Sequence, residues 1–181
     1  MRMHIFQHVP FEDEGIIGDW AAERGFPVTR TRFFAGETPP AAEAFDWLVV
    51  MGGPMGVADE ALYSWLVAEK VAIRKVLERD MPVLGICLGA QLLAEVAGGR
   101  VEKNPQREIG WFPVRLGGGT SPLLQGLPEE FAAFHWHGDR FHAPAGGLVL
   151  AESDGCPAQI LQVGAGAIGF QFHLESTPER I

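Results

Sequence analysis

Residues 82–91 read P-V-L-G-I-C-L-G-A-Q: a short apolar run, a cysteine with glycine two residues before and two after it, then a helix-compatible stretch. A nucleophile carried on a sharp strand-to-helix turn leaves little room at its flanks, so Gly85 and Gly89 let the backbone close around Cys87. The same turn sets the Cys87 sulfur at a helix N-terminus, where unpaired N–H groups and the helix dipole favour an anionic sulfur. The bland alternative is a cysteine that fills a core, since free cysteine is among the most buried residue types.

Outward from this turn, apolar runs alternate with helical patterns. Residues 3–9, 28–34, 47–51 and 83–87 read as strands, rich in β-branched or aromatic residues and bounded by Gly, Pro or Asp. Residues 13–24 form an amphipathic stretch ending at Gly25, residues 60–79 repeat apolar positions at helical spacing, and residues 88–97 stop at Gly98-Gly99. Strands and helices alternating in this way predict an α/β fold with a parallel sheet covered by helices on both faces. From Gly110 the runs shorten to W-F-P-V-R-L, F-A-A-F-H-W, G-L-V-L-A, A-Q-I-L-Q-V and A-I-G-F-Q-F, which predicts an antiparallel C-terminal extension of the sheet. No internal repeat, low-complexity tract or linker interrupts the pattern, so one domain over residues 1–181 is expected.

The C-terminal stretch 167–175, A-I-G-F-Q-F-H-L-E, ends a strand-like run on a histidine with a carboxylate two residues later. That spacing puts His173 and Glu175 on one side of an extended chain. A thiol nucleophile needs a base for its proton, and the imidazole needs a third group to fix its tautomer. Cys87, His173 and Glu175 supply all three.

With these residues in place, the chain resembles the class I glutamine amidotransferases, the triad-type glutaminase domain with a flavodoxin-like sheet. V-V-M-G-G-P-M-G at 49–56, G-I-C-L-G-A-Q at 85–91, H-W-H-G-D at 135–139 and F-Q-F-H-L-E at 170–175 carry the match, which spans nearly the whole chain. Many members have proline between the histidine and the glutamate; here Leu174 keeps the spacing. The resemblance implies hydrolysis of the γ-amide of glutamine through a thioester on Cys87, with His173 as acid and base and Glu175 orienting it. It further implies a pocket bordered by Gln91, Trp136, His137, Gly138 and Asp139, the H-G-D segment acting as a loop. In open α/β sheets ligands bind at the carboxyl ends of the strands. There the N–H of Leu88, next after the nucleophile, and that of Gly53 in the Gly52-Gly53-Pro54 turn are the expected oxyanion donors.

The resemblance leaves the leaving group open. Ammonia passed to a synthetase partner is one reading, and a free-standing γ-glutamyl peptidase acting on glutathione-like compounds is another. No Walker-type phosphate loop is present, and no cofactor is expected. Relatives of this kind continue past the H-L-E segment into a terminal helix; here Ser176 or Thr177 would cap a helix with Pro178 in its first turn, and few residues follow. A non-catalytic binding protein on the same fold is disfavoured by the intact set of three residues.

The segment H-W-H-G-D-R-F-H at 135–142 supports a rival chemistry. His135 and His137 share a strand face, and Asp139 with His142 would complete a zinc site. That reading leaves the cysteine turn and the H-L-E segment unexplained, so no metal is expected. His4, His8, His135 and His142 read as structural or exposed.

Composition narrows the partners. The 181 residues are 47% hydrophobic and 20% charged, and the net charge is −9. With 14 Lys and Arg scattered rather than striped, there is no electrostatic footprint for nucleic acid or an anionic membrane. The N-terminal M-R-M-H-I-F-Q-H is too interrupted for a signal peptide, and no run approaches the ~20 apolar residues of a membrane span. A cytoplasmic enzyme acting on a small molecule is the expectation, with Cys87 and Cys156 both reduced.

Overall fold

The computed structural model describes residues 1–177. In chain order the elements are β1 (Met3–Gln7), α1 (Gly15–Glu23), β2 (Val28–Arg32), β3 (Trp47–Val50), α2 (Trp65–Glu78), β4 (Val83–Ile86) and α3 (Leu88–Val96). There follow β5 (Arg100–Leu116), β6 (Glu130–His142), β7 (Leu148–Glu152), β8 (Ile160–Val163) and β9 (Ala167–Phe170). The nine strands form one sheet in the order β2-β1-β3-β4-β9-β8-β7-β5-β6. Parallel pairing joins β2, β1, β3, β4 and β9, and antiparallel pairing carries the sheet on from β9 through β8, β7, β5 and β6.

The inner strands are apolar on both faces because both faces are covered. Leu48 and Val50 of β3 pack with Leu66, Ile73 and Val76 of α2 and with Leu92 and Leu93 of α3. Val49 and Met51 point the other way, into a second cluster with Ala21 of α1, Ile86, Phe170 and Phe172. Each such side chain contributes about 1.5–3 kcal/mol on burial, and a one-residue slip of β3 would exchange the two sets.

Three expectations change. The strand placed after Gly110 starts ten residues earlier, at Arg100. The run A-I-G-F is the fifth parallel strand: Val83↔Ala167 through Ile86↔Phe170 pair it parallel to β4, and only its β8 side is antiparallel. The H-G-D segment lies within β6 rather than in a loop. Its partner β5 carries the irregularity, a bulge between Lys103↔Asp139 and Glu108↔His137 that sets residues 104–107 against Gly138 alone. Asn104 holds the bulge by donating from Nδ2 to the carbonyls of Gln106 (2.6 Å) and Gly155 (2.8 Å). The anticipated cap at Ser176 or Thr177 leads into residues 178–181, which lie outside the described residues. No described helix is long and apolar enough to cross a membrane.

Candidate active site

Cys87 stands between β4 and α3 with φ 50° and ψ −104°. A side chain rarely adopts this backbone, and holding it there costs on the order of 1–3 kcal/mol. The flanking glycines are required by close backbone approach: a Cβ on Gly89 would lie 2.0 Å from the Val50 carbonyl oxygen, and one on Gly85 would lie 2.6 Å from that of Gly89. The Cys87 N–H donates to the Phe170 carbonyl at 2.7 Å, tying the turn to the end of β9.

Three residues beyond that tie comes His173. Its N–H donates to the Phe134 carbonyl at 2.8 Å, in an isolated bridge that docks the C-terminal segment on β6. Nδ1 of His173 lies 2.7 Å from Oε1 of Glu175, both side chains being almost fully buried, which leaves Nε2 for Cys87. Burial alone would lower the pKa of His173, but interaction with Cys87 and Glu175 outweighs it and pushes the imidazole up to about 11. A protonated His173 is thus a standing counter-charge for a thiolate. Sγ of Cys87 further has the Trp136 carbonyl at 3.9 Å and Nε2 of Gln171 at 3.8 Å. Cys156 is different: 1% exposed, its thiol is pushed up to about 11 by burial, the setting of an inert cysteine.

Cys87 opens on a cavity of about 270 Å³ whose wall includes Gly53, Gln91, Trp136, His137, Gly138 and Asp139. Every pocket residue expected from the sequence is therefore there. Gln91 donates from Nε2 to Oε1 of Gln171 at 3.2 Å. Leu88 has a buried side chain; its relevant group is the N–H at the first position of α3, which has no intrahelical acceptor.

Lys103 and Arg107 also line the cavity, and sequence reading missed them. Arg107 belongs to the bulge of β5 and Lys103 to the pair just before it, and this wall of the pocket comes from the bulge folding over Gly138, where a Cβ would lie 3.5 Å from Arg107 Cγ. Glu12 was missed as well: its Oε2 is buried without a partner, close enough to Gly52 that a Cβ there would come within 2.4 Å of it. Burial raises the Glu12 pKa, opposed by His173. His8, read as structural or exposed, is fully buried and bonded to the Gly52 carbonyl beside Cys87.

The zinc set suggested by H-W-H-G-D-R-F-H does not assemble as expected. His142 pairs with Glu102 at 2.8 Å and Asp139 with Lys103 at 2.7 Å, each satisfying a partner across the β5–β6 ladder. His135 and His137 instead meet Glu108, at 3.4 and 3.0 Å, and these three donors lie close enough to hold a metal. Ser153 and Gln159 also donate to the Glu108 carboxylate, at 2.6 and 2.7 Å. Burial would raise the Glu108 pKa, but these hydrogen bonds win and hold it well below the usual carboxylate range. Hydrogen bonding around one buried carboxylate accounts for the arrangement.

This geometry has close counterparts. YfeJ of Salmonella typhimurium, a glutamine amidotransferase-like protein, is 40% identical over 187 residues, covering 100% of this chain and 78% of that protein. The glutamine-hydrolysing GMP synthase of Thermosipho africanus is 42% identical over 104 residues, 56% of this chain but only 20% of the synthase. Among solved structures, a glutamine amidotransferase from Thermotoga maritima superposes with a TM-score of 0.95 at 31% identity, covering 99% of this chain and 78% of that one. SMU.1228c does so with 0.95 at 35% identity, covering 99% and 80%. Residues 19–181 match the model of the class-I glutamine amidotransferases. The cysteine turn, the sheet that presents it and these matches agree, and the chain belongs to the class-I glutamine amidotransferase family.

Proposed function

We propose that this chain is a single glutaminase unit that hydrolyses the γ-amide of glutamine through a γ-glutamyl thioester on Cys87. The observation that carries the reading is the placement of His173 between Glu175 and Cys87, with the cysteine facing a cavity of about 270 Å³. The Cys87 thiolate attacks the carboxamide carbon and the carbonyl oxygen becomes an oxyanion. The N–H groups of Gly53 and Leu88 receive it. The His173 imidazolium gives its proton to the departing nitrogen, releasing ammonia, then takes one from water as hydroxide attacks the thioester. Glutamate leaves, and the thiolate and imidazolium are restored. Glu175 fixes the imidazole throughout.

Gln91, Trp136, His137, Gly138 and Asp139 border the glutamine, and Arg107 and Lys103 give the cavity cations for its α-carboxylate. Glutamine-hydrolysing GMP synthases join this reaction to a synthetase step, and a synthetase partner receiving the ammonia belongs to the reading. Two unpaired buried cysteines suit the reducing cytoplasm.

Incubation with glutamine should release glutamate, and Cys87→Ser should lose turnover by roughly 10³-fold or more. A glutamine-analogue electrophile should label Cys87, and Cys156→Ser should leave both results unchanged. Labelling at Cys156 would refute the assignment.

A further inference from the structure

His8 follows β1 and is enclosed on every side. Its ring lies nearly parallel to those of Phe33 (5.8 Å, 7°) and Trp65 (5.5 Å, 17°), which stack on each other at 4.9 Å, and it has no exposed surface. Nε2 lies 2.7 Å from Oε1 of Glu69, which is equally buried on α2, and Nδ1 lies 2.8 Å from the carbonyl oxygen of Gly52. A carbonyl only accepts, so Nδ1 must carry a proton and donate to Gly52, while Nε2 bonds the Glu69 carboxyl group. Burial alone would lower the His8 pKa, but Glu69 and the Gly52 carbonyl outweigh it and raise it.

Enclosing two titratable side chains away from water carries a desolvation cost that their mutual bond only partly recovers, so stability is a poor account of this arrangement. Its effect on the neighbouring peptide is better defined. No peptide bond among the described residues is cis, and in a trans peptide the C=O and the following N–H point in opposite directions. With the Gly52 carbonyl fixed on His8, the Gly53 N–H faces away from His8. Among the described residues that N–H has no hydrogen-bond partner. A Cβ on Gly52 would meet Cβ of Cys87 at 3.5 Å and Cε1 of His173 at 3.1 Å, and Gly53 lines the cavity that holds Cys87. A Cβ on Gly53 would stand 3.1 Å from His8 Cβ and 3.2 Å from Leu88 Cδ2, so the turn is wedged between the histidine and the start of α3.

We propose that the buried His8–Glu69 pair is a positioning device that locks the Gly52–Gly53 peptide with its N–H turned to the oxyanion, so that the oxyanion site is complete in this chain without a docked partner. The inference rests on the thioester reading above and deepens it. His8 touches neither substrate nor sulfur; it acts through the peptide. Loss of one oxyanion donor typically lowers kcat by about 10²–10³-fold, and a donor that is merely released to rotate should cost part of that.

Four variants test it on the full chain: His8→Leu, which keeps bulk without a donor; His8→Asn, whose amide can still reach the Gly52 carbonyl; His8→Leu with Glu69→Gln, which removes both titratable groups together; and Cys87→Ser. For the first and third, kcat on glutamine should fall at least tenfold while KM stays within twofold. Alkylation of Cys87 by iodoacetamide, a displacement that builds no oxyanion, should keep its rate within twofold. His8→Asn should recover most of kcat. Parallel losses of kcat and alkylation, or an unchanged kcat, would overturn the device. So would wild-type protein that is labelled by a glutamine analogue yet turns over nothing until another protein is added. Turnover surviving Cys87→Ser would instead defeat the thioester reading itself.

Discussion

A histidine that keeps its proton far into alkaline pH needs counter-charges, and His173 has two, Cys87 and Glu175. The sign of the resulting pH dependence follows from the direction of the shift. Folding raises this pKa from 6.5 to about 11, so the stabilisation is fully present below about pH 6.5 and drains as pH rises toward 11. Cys87→Ala removes one partner. The titration midpoint of His173, followed by NMR, should fall in the variant, and the loss of stability between pH 7 and pH 10 in denaturant melts should be shallower than in wild type. An unchanged midpoint would mean that Glu175 alone holds the proton. At this scale the sequence was most legible where chemistry demanded particular spacings: the glycines flanking Cys87, and the two-residue step from His173 to Glu175. His8 escaped because a lone histidine carries no spacing signal. Its partner did leave a trace. Leu66, Glu69, Ile73 and Val76 form the buried stripe of α2, and a glutamate on an apolar stripe calls for a buried hydrogen-bond partner.

Elements succeeded or failed as sequence signals according to what covers them. The inner parallel strands are buried on both faces and read as continuous apolar runs, so β1, β3 and β4 were found within a residue or two. The first half of β5 sits beside the sheet edge, carries a proline and a four-residue bulge, and is mostly exposed; its strand character comes from pairing with β6, which no local pattern announces. With that half of β5 went Lys103 and Arg107, the two pocket cations it delivers. Glu108, at the far side of the bulge, joins β5 to His135 and His137 of β6 and to the Ser153–Gln159 segment. Its folded pKa is depressed, so its contribution is present above the usual carboxylate pKa of 4.5 and is lost as pH falls below it. Glu108→Gln should therefore lose about 1.5–3 kcal/mol at pH 7, the usual worth of a hydrogen bond to a charged group, and the gap to wild type should narrow in acid. Prolonged chelation should leave wild-type stability and turnover intact. A chelator that reproduces the Glu108→Gln loss would show instead that a metal joins these three side chains.

At the scale of the whole molecule, the proposed glutaminase and a γ-glutamyl peptidase differ in their leaving group, and the two sides of Cys87 and His173 bear on it differently. The cavity on the Cys87 side, with Arg107 and Lys103, suits the α-carboxylate end of any γ-glutamyl compound and so cannot discriminate among leaving groups. Trp136 separates it from a second cavity of about 220 Å³, walled by Glu12, Asp13, His173 and Glu175 together with Phe11 and Phe134. In the proposed mechanism, a leaving group protonated by His173 departs on the histidine's side. Ammonia is small and uncharged at that moment and meets no penalty there. The peptide released from a glutathione-like substrate carries a carboxylate, and a wall with three carboxyl groups offers it no cation once His173 has given up its proton. Measured side by side on purified protein, a glutathione-like γ-glutamyl peptide should therefore be no better a substrate than glutamine by kcat/KM. A preference of tenfold or more for the peptide, about 1.4 kcal/mol in transition-state binding, would mean that the acidic wall does not face the leaving group and that the chain is a γ-glutamyl peptidase.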